Sequence, residues 1–397
     1  MPAASAVGSQ NLKVNKMKRW FSLRTLASAS VAAACLIVLA GCGPSNNNAG
    51  KGTPGGNSAG GNSSAGKPPV FSLAWSEYPS WSVFGVADKE GILDAKEGSQ
   101  GSIEKKWNVD IVLNYAEYDP CLSMYGANTT DAVCITNIDI LSPSLKRASV
   151  AIMPTSTSVG GDACIAVGID SIEGLKGKNT WGLEKSVSQF AFERALISKG
   201  FSPKDFPFKN QDPAVAATGM QASQADFESI MVWNPFALQT LRLRKEAKVL
   251  FDSSSIPEEI IDMVVVGKEA LGRPGGKRFA YAVLDSFYEV SKLIADTKTQ
   301  DKTLVALGEQ FSKLNAADMK LVLTQTKFYD SADKALALFN GDKFQKETMP
   351  MVAKFCVDHE MCDSAPVFGF GDAGKQLNFD SQFLNGMKDG IVPDQVK

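Results

Sequence analysis

The chain has 397 residues, of which 44% are apolar and 21% charged, so it is long enough for two lobes and too apolar to be disordered. Lys and Arg number 41 against 43 Asp and Glu. This balance argues against a nucleic-acid partner, which would require a basic surface. The single histidine, His359, excludes His-rich metal sites and nearly all His-based catalytic triads.

The N-terminus has the pattern of an export signal. The first 41 residues hold five Lys or Arg and no acid, and either Met1 or Met17 fits as the start. An apolar stretch over 27–40 matches a secretory signal in length. It ends in Leu39-Ala40-Gly41-Cys42, which resembles the lipobox of bacterial lipoproteins. We therefore expect residues 1–42 to be a lipoprotein signal peptide, with Cys42 acylated.

A flexible tether is predicted next, over 43–69. Residues 43–67 hold 8 Gly, 5 Asn and 4 Ser, a composition that cannot bury a core. Such a coil reaches about 25–30 Å. We therefore expect an exported protein that a lipid anchors to a membrane, on its periplasmic or cell-surface side.

Cysteine usage is compatible with export. Beyond Cys42 five cysteines remain, and Cys356–Cys362 is a candidate local disulfide, with Cys121–Cys134 a weaker one. The alternative is a set of buried thiols. No CxxC spacing occurs, so no zinc or other metal site is predicted.

The body alternates between predicted strands and helices. Strands are predicted over 70–75, 109–113, 131–135, 150–153, 163–167, 179–183, 229–233 and 247–251. Helices are predicted over 81–90, 137–147, 186–200, 277–298, 301–314 and 316–326. The third helix is expected to open with the capping box Ser186-x-x-Gln189. This order favours parallel sheets covered by helices.

Five short motifs follow one another in the order of a known protein family. They are Trp75–Trp81 with Gly91–Asp94, Ser171–Lys178, Glu184–Gln189 with Arg194–Leu196, Trp233–Phe236, and Leu377–Asp380. Together they resemble periplasmic solute-binding proteins of ABC importers for nitrate, sulfonates, taurine and thiamine-precursor pyrimidines. Within that superfamily the sequence is most similar to proteins encoded beside urea carboxylases and assigned to urea or guanidine uptake.

The resemblance implies an α/β fold of the type II periplasmic binding proteins, with two hinged lobes, each a mixed or parallel sheet covered by helices. Lobe 1 would comprise 70–157 and 253–345, lobe 2 would comprise 158–252, and 346–397 would be a C-terminal helical segment on lobe 1. The implied partners are a small solute and the permease and ATPase subunits. No cofactor is implied, and a monomer is expected.

Ligands in such sheets lie beyond the carboxyl ends of the strands. That rule selects thirteen candidate ligand-binding residues: Trp75, Glu77, Trp81, Thr136, Asn137, Asp139, Asp162, Glu184, Ser186, Ser188, Gln189, Trp233 and Asn234. Four carboxylates and three indoles without an Arg suit a small planar cation such as guanidinium. Neutral urea also fits. The N–H groups at the Ser186 helix start keep an anion open.

Three alternative functions share this fold. Pyrimidine synthases of the superfamily use a cysteine-rich motif and a reactive histidine, and neither is present here, so an enzyme is disfavoured. A receptor subunit that senses ligand without transport is a second alternative. A nitrate, sulfonate or taurine importer subunit is a third.

Overall fold

Thirteen strands form two mixed sheets in the computed structural model, which describes residues 66–364, 366–371 and 373–396. The strands are β1 (Val70–Trp75), β2 (Asp110–Tyr115), β3 (Ala132–Thr136), β4 (Ser149–Ser158), β5 (Asp162–Ala166), β6 (Thr180–Gly182), β7 (Phe208–Asn210), β8 (Ser229–Trp233), β9 (Lys248–Asp252), β10 (Ile261–Gly267), β11 (Thr326–Phe328), β12 (Phe368–Phe370) and β13 (Leu377–Phe379).

Fourteen α-helices cover these sheets in the same described residues. They are α1 (Val83–Lys89), α2 (Ser102–Trp107), α3 (Tyr118–Gly126), α4 (Leu141–Ser144), α5 (Val187–Ser198), α6 (Pro213–Gln221), α7 (Phe236–Leu243), α8 (Lys268–Gly272), α9 (Gly276–Ala295), α10 (Gln300–Gln310), α11 (Ala316–Thr324), α12 (Ala332–Phe339), α13 (Met349–Asp358) and α14 (Gln382–Lys388). A π-helical turn at Phe344–Thr348 precedes α13.

The first sheet has the strand order β12-β13-β4-β10-β3-β1-β2, and β11 also pairs with β4. β10 runs antiparallel to both of its neighbours, β3 and β4. All residues of β3, β4 and β10 are buried. Strands covered on both faces need no alternation of polar and apolar residues, which explains the continuous apolar run of β3.

The second sheet has the order β7-β6-β8-β5-β9, and all of its strands lie between Asp162 and Asp252. β5 is antiparallel to β8 and β9, whereas β6 is parallel to β7 and β8. Both sheets are therefore mixed. The antiparallel strands β5 and β10 begin at the edge of their sheet where the parallel strands end.

The chain crosses between the sheets twice, after β4 and after β9, and the two crossings are hydrogen-bonded to each other. The hydroxyls of Ser158 and Ser253 lie 2.7 Å apart. The backbone N–H of Gly160 donates to Ser253 Oγ at 2.8 Å. Gly160 has a φ of +103°, a conformation that favours glycine and lets the first crossing turn at this point.

Three sequence predictions need correction. The helix predicted over 137–147 is only the short α4, Leu141–Ser144. The Asn137 side chain instead accepts a hydrogen bond from the N–H of Ile261 in β10 and donates one to the carbonyl of Glu259, two residues before it. The segment 346–397 is not purely helical, since it also supplies β12 and β13, and β13 pairs in parallel with β4. Neither proposed disulfide is formed: all five described cysteines are buried free thiols.

The predictions for the signal peptide, Cys42 and the tether up to residue 65 lie outside the described residues. Within the part that is described, no helix has both the length and the apolar character needed to cross a bilayer.

Candidate functional site

A cavity of about 70 Å³ lies between the two sheets. By volume this is room for about two water molecules at liquid density, so it suits a small solute. Eighteen residues line it: Ser76, Glu77, Tyr78, Trp81, Glu117, Tyr118, Asp119, Pro120, Thr136, Asp162, Leu183, Val187, Asp212, Pro213, Trp233, Phe236, Ile260 and Asp262. They follow the ends of the parallel strands or begin the antiparallel ones.

The lining is acidic. Six carboxylates contribute to it and, among the described residues, no Lys, Arg or His does; the six are Glu77, Glu117, Asp119, Asp162, Asp212 and Asp262. In the described part of the chain no three acid, His or Cys side chains are grouped to hold a metal ion. The negative charge is therefore distributed around the cavity instead of converging on one point.

Asp162 begins β5 and is only 2% exposed. Its backbone N–H donates to Ser158 Oγ at 3.2 Å, but its Oδ2 has no hydrogen-bond partner among the described residues. Burial raises the pKa of Asp162 to about 6, and the charges of Asp139 and Asp252 add to the rise, while Ser158 opposes it. An unpartnered buried carboxylate oxygen is costly unless a ligand supplies a donor.

Asp262 is the second residue of β10, lies opposite Thr136 of β3 in the strand register, and is 1% exposed. Ser156 donates to its Oδ2 at 2.5 Å. Burial raises the pKa of Asp262 well above its ordinary value, and the nearby Asp162 raises it further. Two buried acids that resist ionising together are a suitable environment for a positive charge.

Aromatic rings form the rest of the wall. Tyr78 and Trp81 lie with ring centroids 5.0 Å apart. Trp81 stacks on Tyr118 at 5.4 Å, and Tyr118 meets Trp233 edge-on at 5.9 Å. Ring faces next to carboxylates attract cations, each contact contributing about 0.5–2 kcal/mol.

Glu77 lines the cavity but has a second role. Its carboxylate accepts a hydrogen bond from the backbone N–H of Ser312, in the turn between α10 and α11. Burial raises the pKa of Glu77, and the bond to Ser312 opposes that rise. Part of its charge is therefore engaged with the protein, which leaves Asp162 and Asp262 as the principal buried acids of the cavity.

Five of the thirteen predicted residues line the cavity: Glu77, Trp81, Thr136, Asp162 and Trp233. Asp139 lies directly behind the wall, where it accepts hydrogen bonds from Tyr118 Oη at 2.8 Å and Thr136 Oγ1 at 2.9 Å. Burial raises the pKa of Asp139 to about 6 against those two bonds, which favour its ionised form.

The other predicted residues do not line the cavity. Trp75 packs on Tyr115 with ring centroids 5.0 Å apart. Asn137 is bonded to β10, as described above. Asn234 donates to Gln325 Oε1 at 2.8 Å. Glu184 is half-buried outside the cavity wall.

At the start of α5 the polar side chains serve the helix. Ser186 Oγ accepts from the N–H of Ser188 at 3.1 Å, and Gln189 Oε1 accepts from the N–H of Lys185 at 2.9 Å. The predicted capping box is therefore replaced by a simple cap. The hydroxyl of Ser188 is buried without a partner in the described structure and does not line the cavity.

The lining residues that were not predicted from the sequence include acids at three places in the chain. Glu117, Tyr118 and Asp119 follow β2, which was predicted to end at 113 but continues to Tyr115, so the strand-end rule would have found them with the correct boundary. Asp262 lies at the start of β10, a strand that was not predicted. Asp212 follows β7, a short strand that was not predicted.

Comparison with known proteins gives structural relatives only. No protein-family model matches the chain, and no curated protein does at a significant level. The periplasmic aliphatic sulphonate binding protein SsuA of Escherichia coli superposes with a TM-score of 0.58 at 15% identity, covering 75% of this chain and 90% of that one. SsuA of Xanthomonas axonopodis pv. citri, bound to MOPS, gives 0.57 at 14% identity, with 76% and 96% covered.

The periplasmic nitrate-binding protein NrtA of Synechocystis gives a TM-score of 0.50 at 12% identity, with 72% of this chain and 85% of that chain covered. These likenesses concern the fold, because all the identities are low. The chain therefore has the two-sheet α/β fold of the periplasmic binding proteins.

Proposed function

We propose that this protein is the solute-binding lipoprotein of an ABC importer, and that it captures a small nitrogen-rich cation between its two sheets. Guanidinium is the favoured ligand and urea the second. The protein would pass its ligand to a permease and ATPase, and Cys42 would anchor it to the membrane. The observation that carries the proposal is the charge of the cavity: six carboxylates line it, with no Lys, Arg or His among the described residues.

Two further features support a planar cation. The rings of Trp81, Tyr118 and Trp233 offer π faces, and the unpartnered Oδ2 of Asp162 accepts an N–H donor. The guanidinium ion has donors around its edge and two free faces, so it satisfies both. Its size also matches the cavity of about 70 Å³.

A nitrate or sulfonate ligand is the alternative, and the observation in its favour is what the structural relatives bind. Those proteins are described as sulfonate- and nitrate-binding. An anion placed here would face buried carboxylates without a cationic side chain in the lining, an arrangement that opposes anion binding.

The test is calorimetric titration of the full-length protein, purified in detergent, with guanidinium chloride, urea, sodium nitrate and taurine. We expect tight binding of guanidinium, weaker binding of urea and no heat with either anion. Binding of nitrate or taurine without any response to guanidinium would refute the cation assignment.

A further inference from the structure

We infer that Tyr118 is the specificity-determining residue of the cavity: its ring closes the space around the cation, so that guanidinium fits and guanidines with long alkyl chains do not. This inference rests on the proposed function and names the residue that limits the size of its ligand.

Tyr118 is the ring that joins the two walls. It is the first residue of α3 and is 7% exposed. Its ring stacks on Trp81, with an angle of 18° between the planes, and meets Trp233 edge-on at 77°. Trp81 belongs to the loop after β1 of the first sheet, whereas Trp233 ends β8 of the second. A solute between the sheets therefore faces a continuous row of three rings that spans both sheets.

The Tyr118 ring is fixed in position by its hydroxyl. Oη donates to Asp139 Oδ2 at 2.8 Å and accepts from the backbone N–H of Thr136 at 3.1 Å. Asp139 is itself held by Thr136 Oγ1 at 2.9 Å. Rotating the ring away would break two hydrogen bonds in a buried site, where unsatisfied groups are costly. Asp139 therefore acts as a positioning residue for the ring.

The rigid wall has a consequence for ligand size. The cavity of about 70 Å³ is small compared with a guanidinium group that carries a long alkyl chain. Extra methylenes would overpack against a ring that two hydrogen bonds hold in place. Pockets discriminate by roughly 10- to 200-fold per methylene when the fit is tight.

The experiment compares guanidinium with butylguanidinium by calorimetry on the full-length protein. The wild type should prefer guanidinium by at least roughly 100-fold, and Tyr118→Ala should reduce that preference to below roughly tenfold. Tyr118→Phe keeps the ring and should retain most of the preference. Tyr115→Ala is the matched control, because Tyr115 is 55% exposed and does not line the cavity; its preference should equal that of the wild type.

A cooperatively melting Tyr118→Ala protein with the wild-type preference would overturn the inference alone. If Tyr118→Ala does not fold, Trp233→Leu is the second variant, because it removes the edge-on partner of the Tyr118 ring. It should also reduce the preference for guanidinium over butylguanidinium, and an unchanged ratio of the two affinities would again overturn the inference. A wild type that binds neither cation would refute the proposed function itself, and the inference with it.

Discussion

Asp162 and Trp233 are register partners on the adjacent antiparallel strands β5 and β8. Side chains of such a pair lie on the same face of a sheet with Cβ atoms about 4.5–5.5 Å apart. The second sheet therefore presents a carboxylate and an indole side by side toward the cavity. On the first sheet Asp262 and Thr136 form the corresponding pair across β10 and β3.

Asp162→Asn should weaken guanidinium binding by roughly 10- to 150-fold, because a hydrogen bond to a charged group contributes about 1.5–3 kcal/mol. Urea binding should fall far less, since the Asn amide still offers an accepting oxygen. Calorimetry with both ligands measures the difference. Glu184→Gln is the matched control in the same sheet region, and it should bind guanidinium like the wild type. Equal losses of affinity for guanidinium and urea in Asp162→Asn would indicate that the shape of the Asp162 side chain, and not its charge, matters for binding.

The same variant should stabilise the ligand-free protein. The pKa of Asp162 is about 6 in the folded chain against an ordinary 3.8, so ionising it destabilises the fold above pH 6, by roughly 3 kcal/mol. That cost disappears as the pH falls below about 4, where the acid is protonated in both states. Asp162→Asn should therefore melt a few degrees higher than wild type at pH 7.5 and no higher near pH 4. A lower Tm at pH 7.5 would contradict this.

Binding of a cation should release protons near pH 6. A bound positive charge favours ionised carboxylates, and the pKa values of Asp139 and Asp162 are both raised to about 6 by burial. Affinity should consequently fall as the pH drops below 6, by up to about tenfold per pH unit for each proton displaced. Titrations in buffers of different ionisation enthalpy count those protons. Heats that do not depend on the buffer at pH 6 would exclude this linkage.

His359 should make the fold more stable in acid than in base. Its Nε2 lies 2.8 Å from Glu193 Oε1 on α5, and its Nδ1 lies 2.9 Å from the carbonyl oxygen of Phe355. The hydrogen bond to Glu193 raises the pKa of His359 in the folded chain. The resulting stabilisation is fully present below the ordinary pKa of 6.5 and is lost as the pH rises through the higher folded value.

His359→Gln tests this ion pair because the chain has only one histidine. The difference in Tm between wild type and variant should be largest near pH 5.5 and shrink toward pH 9. Lys185 and Glu360 form a neighbouring pair at 3.9 Å, and Asp358 contributes a small further increase in the pKa of His359. A difference in Tm that stays constant from pH 5.5 to 9 would speak against a charged His359.

Cys42→Ala should move the protein from the membrane fraction to the soluble fraction, since lipid anchoring depends on the acylated sulfur. Cys35→Ala, a substitution within the expected signal peptide, is the control and should leave the protein at the membrane. Mass spectrometry of the mature N-terminus is the direct measurement. An unmodified N-terminus at another residue would contradict the lipoprotein assignment.

The buried strands β1, β3 and β8 were predicted close to their observed bounds, because they are apolar runs bounded by polar residues. The buried seven-residue strand β10 was not predicted, and only the central part of β4 was. The three-residue strands β12 and β13 were missed, since such short segments carry no periodic signal and depend on pairing with β4. Within the site, Trp81, Asp162 and Trp233 were identified from strand boundaries. Asp262 was not predicted, because β10, the strand to which it belongs, was not predicted either.

The hydrogen bond between Ser158 and Ser253 joins the two inter-sheet crossings to each other, so that they form one short connection of two chain segments. Two chain segments joined in this way resist twisting but bend readily about one axis. We therefore expect one sheet to rotate relative to the other about a single hinge axis at these segments. Asp162 lies four residues after Ser158, and its backbone N–H donates a hydrogen bond to Ser158 Oγ. A solute bound at Asp162 is therefore close to the hinge axis. A small rotation of the sheets about this axis produces a large displacement at the parts of the sheets that lie far from it.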